Sequence, residues 1–259
     1  MNDLDDCFRG DDERLTVGEA VRRFANGIGP AADTELTPTA EAHGRILSAD
    51  ITAHLDTPPS DNSAVDGYVV YFGDLAEEGE TTLPIAGRIA AGHPLDRPAK
   101  PGEALQIFTG APVPTGKNGS GPDTIFMVED CQVTENSVTL PAGIKRGANL
   151  RRAGEDVKAG TVVLRAGARL RPPDIAMAAS LGLSDIPVYR RLKAAVFSTG
   201  DEVREPGTPL DAGCIYDANR FAIMAMLERL GCEVHDLGIF PDDRATIEGA
   251  LKAAAQDHD

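Results

Sequence analysis

The sequence predicts a multidomain fold of α/β plus β type: a discontinuous mixed α/β domain carrying an inserted β-barrel-like module, followed by an incomplete α/β layered domain. Three observations predict it. Between residues 51 and 152, short alternating apolar runs are broken by glycine and proline, the pattern of a small barrel or sandwich. Residues 16–50 and 153–185 on either side share a mixed pattern and read as one domain interrupted by the β module. From 186 to 259 the order is strand, helix, strand, helix, the beginning of a parallel α/β layer.

The first element is a helix over 17–26, opened by Thr16 with Glu19 three residues on, so that hydroxyl and carboxylate satisfy each other's orphan amides as a capping box. Ala42, Ile46 and Leu47 recur at helical spacing and suggest a second helix over 40–47. The β module is expected to use strands at 68–71, 82–89, 105–108, 124–129, 131–134 and 137–140. A strand at 161–164 and an apolar helix over 173–181 resume the mixed pattern. Ala194–Phe197 reads as a short buried strand, and Asn219 is expected to cap a helix over 220–230 that stops at Gly231. A strand over 233–239 and a helix over 243–256 complete the chain. Two strands with a helix after each cannot bury both faces of a parallel sheet, so the 259 residues read as a fragment or a shortened homologue.

Composition narrows the function classes. Lys and Arg number 25 against 41 for Asp and Glu, and a net charge of −16 repels nucleic-acid backbones and anionic membranes. Cys7, Cys131, Cys214 and Cys232 show no short paired spacing, which argues against a zinc site or a disulfide framework. The opening residues are acidic, without a basic start or apolar core, and no apolar run approaches a membrane span, so a cytoplasmic protein is expected. Local charge runs the other way between Lys145 and Lys193, where eleven basic residues face four acids: the segment is +7 and the rest −23. Such a band either collects a small anion or balances neighbouring acids.

The chemistry concentrates in Pro59-Ser60-Asp61-Asn62-Ser63-Ala64-Val65-Asp66-Gly67-Tyr68, where turn residues lead into a strand and leave Asp66 at the junction. An isolated Asp-Gly more often closes a hairpin. Carboxylates at loop positions recur as Glu155 with Asp156, Asp201 with Glu202, and Asp242 with Asp243. Hard oxygen donors at strand ends suit a Mg2+ ion bridging phosphates, and Glu202 and Asp242 are the expected ligands. Ser198, Thr199 and Gly200 precede that pair as a ligand loop, although Asp201 could equally bond its own turn. Asp243 is placed to cap the final helix. The Thr109 hydroxyl, in a proline-containing turn, could touch an oxyanion or be structural. Arg151 and Arg152 could grip phosphate or another oxyanion through forked donors, or pair with surrounding acids. The histidines show no ligand spacing, and no serine or cysteine sits in a nucleophile context.

Asp61 to Tyr68 resembles the signature of the molybdopterin molybdenumtransferases, the MoeA family that includes the E domain of gephyrin. Four later segments agree in order: Ile107 to Pro114, Arg151 to Asp156, Phe197 to Glu202, and Tyr216-Asp217-Ala218-Asn219-Arg220. The resemblance implies insertion of molybdate into the dithiolene of adenylated molybdopterin, with Mg2+-dependent hydrolysis of the adenylate. Functional positions carried over are Asp66, Thr109, Asp156, Glu202 and Asp242, with the loop 198–201 and Asn219 on the pterin side. It further implies a homodimer in which Asp66 and Glu202 meet across subunits, and a molybdopterin adenylyltransferase acting upstream. The family's Ser-Gly-Gly loop and the acid after it have no counterpart here. That gap keeps open a non-catalytic molybdopterin-binding or scaffold protein, or an inactive fragment.

Overall fold

The computed structural model describes residues 15–27 and 29–259. The acidic opening stretch and Cys7 lie outside the described residues. Two compact units emerge: a sheet unit of Pro38–His43 and Ala49–Ile186, and a layered unit of the described residues up to Thr37 with Gly44–Ser48 and Pro187–Asp259.

In the sheet unit, six strands form one curled sheet. They are β1 (Gly67–Val70), β2 (Thr81–Ile89), β3 (Ala104–Ile107), β4 (Thr124–Met127), β5 (Gln132–Val133) and β6 (Ser137–Leu140), in the spatial order β4-β1-β3-β2-β6-β5. Only the β2–β3 pair is parallel within that sheet; the other neighbours run antiparallel. Alternation divides its apolar residues between two cores. Tyr68, Val70, Phe126 and Leu140 pack on one face, and Val69, Ile89, Leu105, Ile107 and Ile125 on the other. β1 is therefore buried on both sides, and all four of its residues are buried.

Two features set where β1 begins. Gly67 lies so close to β4 that a Cβ there would sit 1.7 Å from the Phe126 carbonyl oxygen. No larger residue allows that approach. Next to it, the Val128 amide donates to the Asp66 carbonyl at 3.0 Å, and the chain turns into a 3-10 turn at Val128–Asp130. The strand expected to reach Glu129 thus stops at Met127.

The helix expected over 40–47 does not form. A single 3-10 turn, Thr39–Glu41, is followed by Gly44 at φ +77°, and Leu47 bridges Val188 in antiparallel fashion. Backbone pairing explains the difference: the Tyr189 amide donates to Ile46 and the Ser48 amide to Pro187, so Ile46 and Leu47 spend their polar groups on an edge. The apolar spacing belonged to a buried bridge residue, since Leu47 is fully buried.

α1 (Val17–Gly27) carries the expected cap. Thr16 donates through its amide and hydroxyl to the Glu19 carboxylate at 2.9 and 2.7 Å, and the Glu19 amide returns to the Thr16 hydroxyl. α2 (Pro172–Ser180) belongs to the sheet unit. The layered unit centres on β7 (Lys193–Thr199) and β8 (Glu233–Phe240), a parallel pair running from Lys193↔Glu233 to Thr199↔Phe240 with a register shift between Val196 and Ser198. Between them lies α3 (Asn219–Leu230), closed by Gly231 in the left-handed region at φ +94°. α4 (Arg244–Asp257) follows, capped by Asp243, whose carboxylate accepts the Thr246 amide at 2.8 Å. A short parallel pair, Val203–Arg204 with Ile215–Tyr216, follows β7 and carried no recognisable strand signal. Among the described residues no helix is long and apolar enough to cross a membrane.

Replacing Gly67 by Ala is expected to cost about 3 kcal/mol or more, the upper range for overpacking, because the obstacle is backbone rather than a movable side chain. Urea unfolding measures it. A midpoint equal to that of the parent would mean β1 and β4 are free to separate.

Candidate functional site

The β1–β3 register aligns Gly67 with Ile107, so the residue before one strand and the turn after the other arrive side by side. Asp66 and Thr109, 43 residues apart, meet there. The Thr109 amide donates to Asp66 Oδ1 at 2.8 Å and its hydroxyl to the same oxygen at 2.7 Å. Both donors, the amide foremost, hold the Asp66 carboxyl below the usual aspartate range. Asp66 is exposed, and its second oxygen is not engaged by Thr109. The turn is braced from behind: Gly110, at φ +76°, donates to Ser63, and Ser63 donates to Ala111.

Segment 61–66 also reaches the basic pair. Leu150–Arg151 pairs antiparallel with Asn62–Ser63. Arg151 donates to Asp156 at 2.6 Å and lies 3.5 Å from Glu155, while Arg152 donates to Asp61 at 2.7 Å. Burial would raise the Asp61 carboxyl, but the Ala153 amide and the Arg152 guanidinium hold it low. Both arginines are thus engaged by acids of their own unit, and Asp156 is in turn engaged by Arg151. Asn62 Oδ1 is buried without a hydrogen-bond partner among the described residues.

In the layered unit the acids gather where parallel strands end. Gly200, after β7, donates to the Phe240 carbonyl at 3.2 Å, and the Asp242 amide donates to Asp201 Oδ1 at 3.3 Å. Asp201 is therefore tied to the turn after β8 rather than to its own backbone. Gly200 has φ +145°, and a Cβ on it would stand 2.8 Å from Glu202 Oε2, so the glycine makes room for that carboxylate. Glu202 and Asp242 lie beyond the ends of adjacent parallel strands, the crevice where open α/β sheets bind ligands. Asp243 is spent on its cap.

Asn219 does not cap α3. It occupies the first helical position after Ala218, which has no capping side chain, and the Asp217 carboxylate takes the Arg220 amide at 3.1 Å. Asp217 and Arg220 were given no role by residue type, although an acid just before the helix and an arginine three residues on in its first turn were visible. Arg220 is 2% exposed and binds Asp217 through Nε at 2.9 Å, with Asp236 and Glu205 on its terminal nitrogens. Burial opposes its charge, but the three carboxylates more than offset it and hold the guanidinium more firmly protonated than usual. Burial likewise works against the Asp217 carboxylate, and the Ser198 hydroxyl with the Arg220 donors keeps it low. Ser198, expected to meet ligand, thus also holds Asp217, and the cluster fixes β7, the segment before α3 and β8 to one another.

Comparison with known proteins gives two successive matches along the chain. Residues 15–182 match the model of the MoeA N-terminal region, domains I and II, which is more than half of the chain. The chain belongs to the MoeA family. Residues 195–259 match a probable molybdopterin binding domain. A molybdopterin molybdenumtransferase of Haemophilus influenzae is 41% identical over 246 residues, covering 95% of this chain and 59% of that protein. Molybdopterin molybdenumtransferase 2 of Mycobacterium tuberculosis is 38% identical over 225 residues, covering 86% of this chain and 54% of its own. The crystal structure of a molybdopterin biosynthesis MoeA protein from Pyrococcus horikoshii superposes with a TM-score of 0.80 at 31% identity, over 93% of this chain and 64% of that one. The chain therefore spans between half and two thirds of the MoeA relatives it matches.

Thr109→Val removes the hydroxyl donor and keeps the amide, so the Asp66 carboxyl is expected to titrate higher, partway back to the usual aspartate range. Carboxyl NMR reads this directly, and an unmoved titration would leave the amide as sole cause. Because the folded-state value is depressed, this group's contribution to stability is present at neutral pH and lost as pH falls through that value; the variant loses it at higher pH. Arg220→Ala strands the buried Asp217 carboxylate and is expected to cost about 3–5 kcal/mol in urea unfolding. An unchanged midpoint would mean that water reaches the acids freely.

Proposed function

We propose that this chain provides the site parts of a molybdopterin molybdenumtransferase, which inserts molybdate into the dithiolene of adenylated molybdopterin and hydrolyses the adenylate. The observation that carries the reading is the Asp66–Thr109 contact, which joins two of the family's functional positions across 43 residues in one two-donor clasp. Held ionised at neutral pH, Asp66 is suited to accept a proton or a hydrogen bond from a ligand and unsuited to act as an acid. Ser198, Thr199, Gly200, Asp201 and Asn219 are assigned to the pterin side, where the end of β7 offers backbone and hydroxyl donors. Asp156 orients Arg151 and so sets the charge beside segment 61–66.

Glu202 and Asp242 would hold Mg2+. Their chemistry fits: the ion takes one or two carboxylates with water and substrate phosphates. When bound, the ion would offset phosphate charge as the adenylate leaves. Gly200 leaves the space that the Glu202 carboxylate occupies at the strand end, where it could face such an ion.

The reading requires carboxylates of both units to serve one substrate, and we assign this to a homodimer in which Asp66 of one copy serves Glu202 and Asp242 of the other. An adenylated substrate further requires an adenylyltransferase upstream, and such a pair would work in the cytoplasm. The test is restoration of molybdoenzyme activity in a cell lacking the insertion step. Asp66→Ala and Glu202→Ala proteins are each expected to lose at least about 100-fold, the scale of removing one catalytic group. Co-expressing the two should recover part of the activity through mixed dimers. Full activity from either variant alone would overturn the roles, and no recovery on mixing would overturn the shared site.

A further inference from the structure

We infer that Arg88 forms an oxyanion subsite beside Asp66 and Thr109, a role no motif assigns to it; the inference rests on the function proposed above and names a group that would grip that substrate. β1, β3 and β2 place Tyr68, Gln106 and Arg88 in one cross-strand row. Two residues further toward the same end, Asp66 and Phe108 return to that face, because side chains alternate with period two. The Arg88 guanidinium reaches that next row: its Cζ lies 4.5 Å from the centroid of the Phe108 ring. Phe108 in turn directly precedes Thr109, whose hydroxyl and amide clasp Asp66. An arginine, a threonine hydroxyl and an ionised carboxylate thus share one end of the sheet.

Arg88 differs from five other arginines of the sheet unit in having no competing acid among the described residues. Arg97 is held by Glu103, Arg146 by Asp123, Arg151 by Asp156, Arg152 by Asp61 and Arg171 by Asp174. Among the described residues Arg88 makes no ion pair and stacks on the Phe108 ring, and it is exposed. Stacking covers one face of the guanidinium and restricts its rotation, while the N–H donors around its edge stay free in the plane that matches a tetrahedral oxyanion. The two arginines that sequence favoured for this task already hold carboxylates, so an arriving anion would have to displace them. At Arg88 it displaces only water. The bound oxyanion is either free molybdate or the phosphate carried by the pterin; both present the oxygen geometry a guanidinium fork reads.

The test is calorimetric titration of the 259-residue chain and its Arg88→Ala and Arg88→Lys forms with sodium molybdate, with inorganic phosphate and with molybdopterin, at low and at moderate salt. Loss of a charge-assisted contact should weaken the Arg88→Ala form about tenfold or more and flatten the salt dependence, with Arg88→Lys intermediate. An effect on molybdate alone identifies the free oxyanion as occupant, and an effect on molybdopterin and phosphate identifies the pterin's phosphate. Circular dichroism checks that the exposed substitution leaves the fold intact, and Arg88→Lys carries the test if the alanine form does not fold. If wild type binds molybdopterin and both variants bind every probe equally well, the subsite is overturned while the function stands. If wild type binds neither molybdopterin nor molybdate, the function proposed above falls, and this inference with it.

Discussion

The contact between Gly67 and the Phe126 carbonyl is the constraint on which the sheet unit depends. A strand that must lie against its neighbour without room for a Cβ can be placed in only one register, and that register aligns Gly67 with Met127 on one side and Ile107 on the other. Everything chemical in this unit follows from the position of one residue. Asp66 emerges as the strand starts, the Val128 amide fixes its carbonyl, and the turn after Ile107 brings Thr109 to its carboxylate. A slip of one residue would turn every side chain of β1 to the opposite core and separate that pair.

The layered unit solves a different problem, the alignment of two parallel strands that have no turn between them. Their register is held at one end by Lys193↔Glu233 and at the other by Thr199↔Phe240. Inside the unit a single buried guanidinium binds acids from the segment after β7, from the residues before α3 and from β8. Three carboxylates around one arginine leave the cluster with excess negative charge, which demands that its donors stay in place. The acids at the strand ends then stand on a rigid base, and Asp201 links the turn after β7 to the one after β8. Charged groups here divide into those that hold the fold and those left free at its edge.

That division is where sequence reading succeeded and fell short. The signature around Asp66, the capping box at Thr16 and Glu19, the cap by Asp243 and the glycine stop at Gly231 were legible because each depends on residues within a few positions of one another. The helix expected over 40–47 failed because apolar spacing cannot tell a helix from an edge that pairs with a distant segment, here 187–189. Asn219 looked like a cap by type, but Asp217 reached the amide first, its own place set by a buried arginine. For Arg151 and Arg152 the sequence left anion binding and acid pairing both open, and the pairing with Asp156 and Asp61 shows only once segment 61–63 has paired with 150–151.

By itself the sequence determined the family, the kinds of secondary structure and the carboxylates available for chemistry, since these follow from local pattern and from the order of motifs. Tertiary structure alone decided which charges were spent and which stayed free: that Thr109 clasps Asp66, that Arg220 is committed to three acids, and that Arg88 lies on Phe108 without an ion pair among the described residues. The physical reason is that ion pairs and hydrogen bonds act over a few ångströms of space, and only the folded backbone sets which residues, tens or hundreds of positions apart, come within that reach.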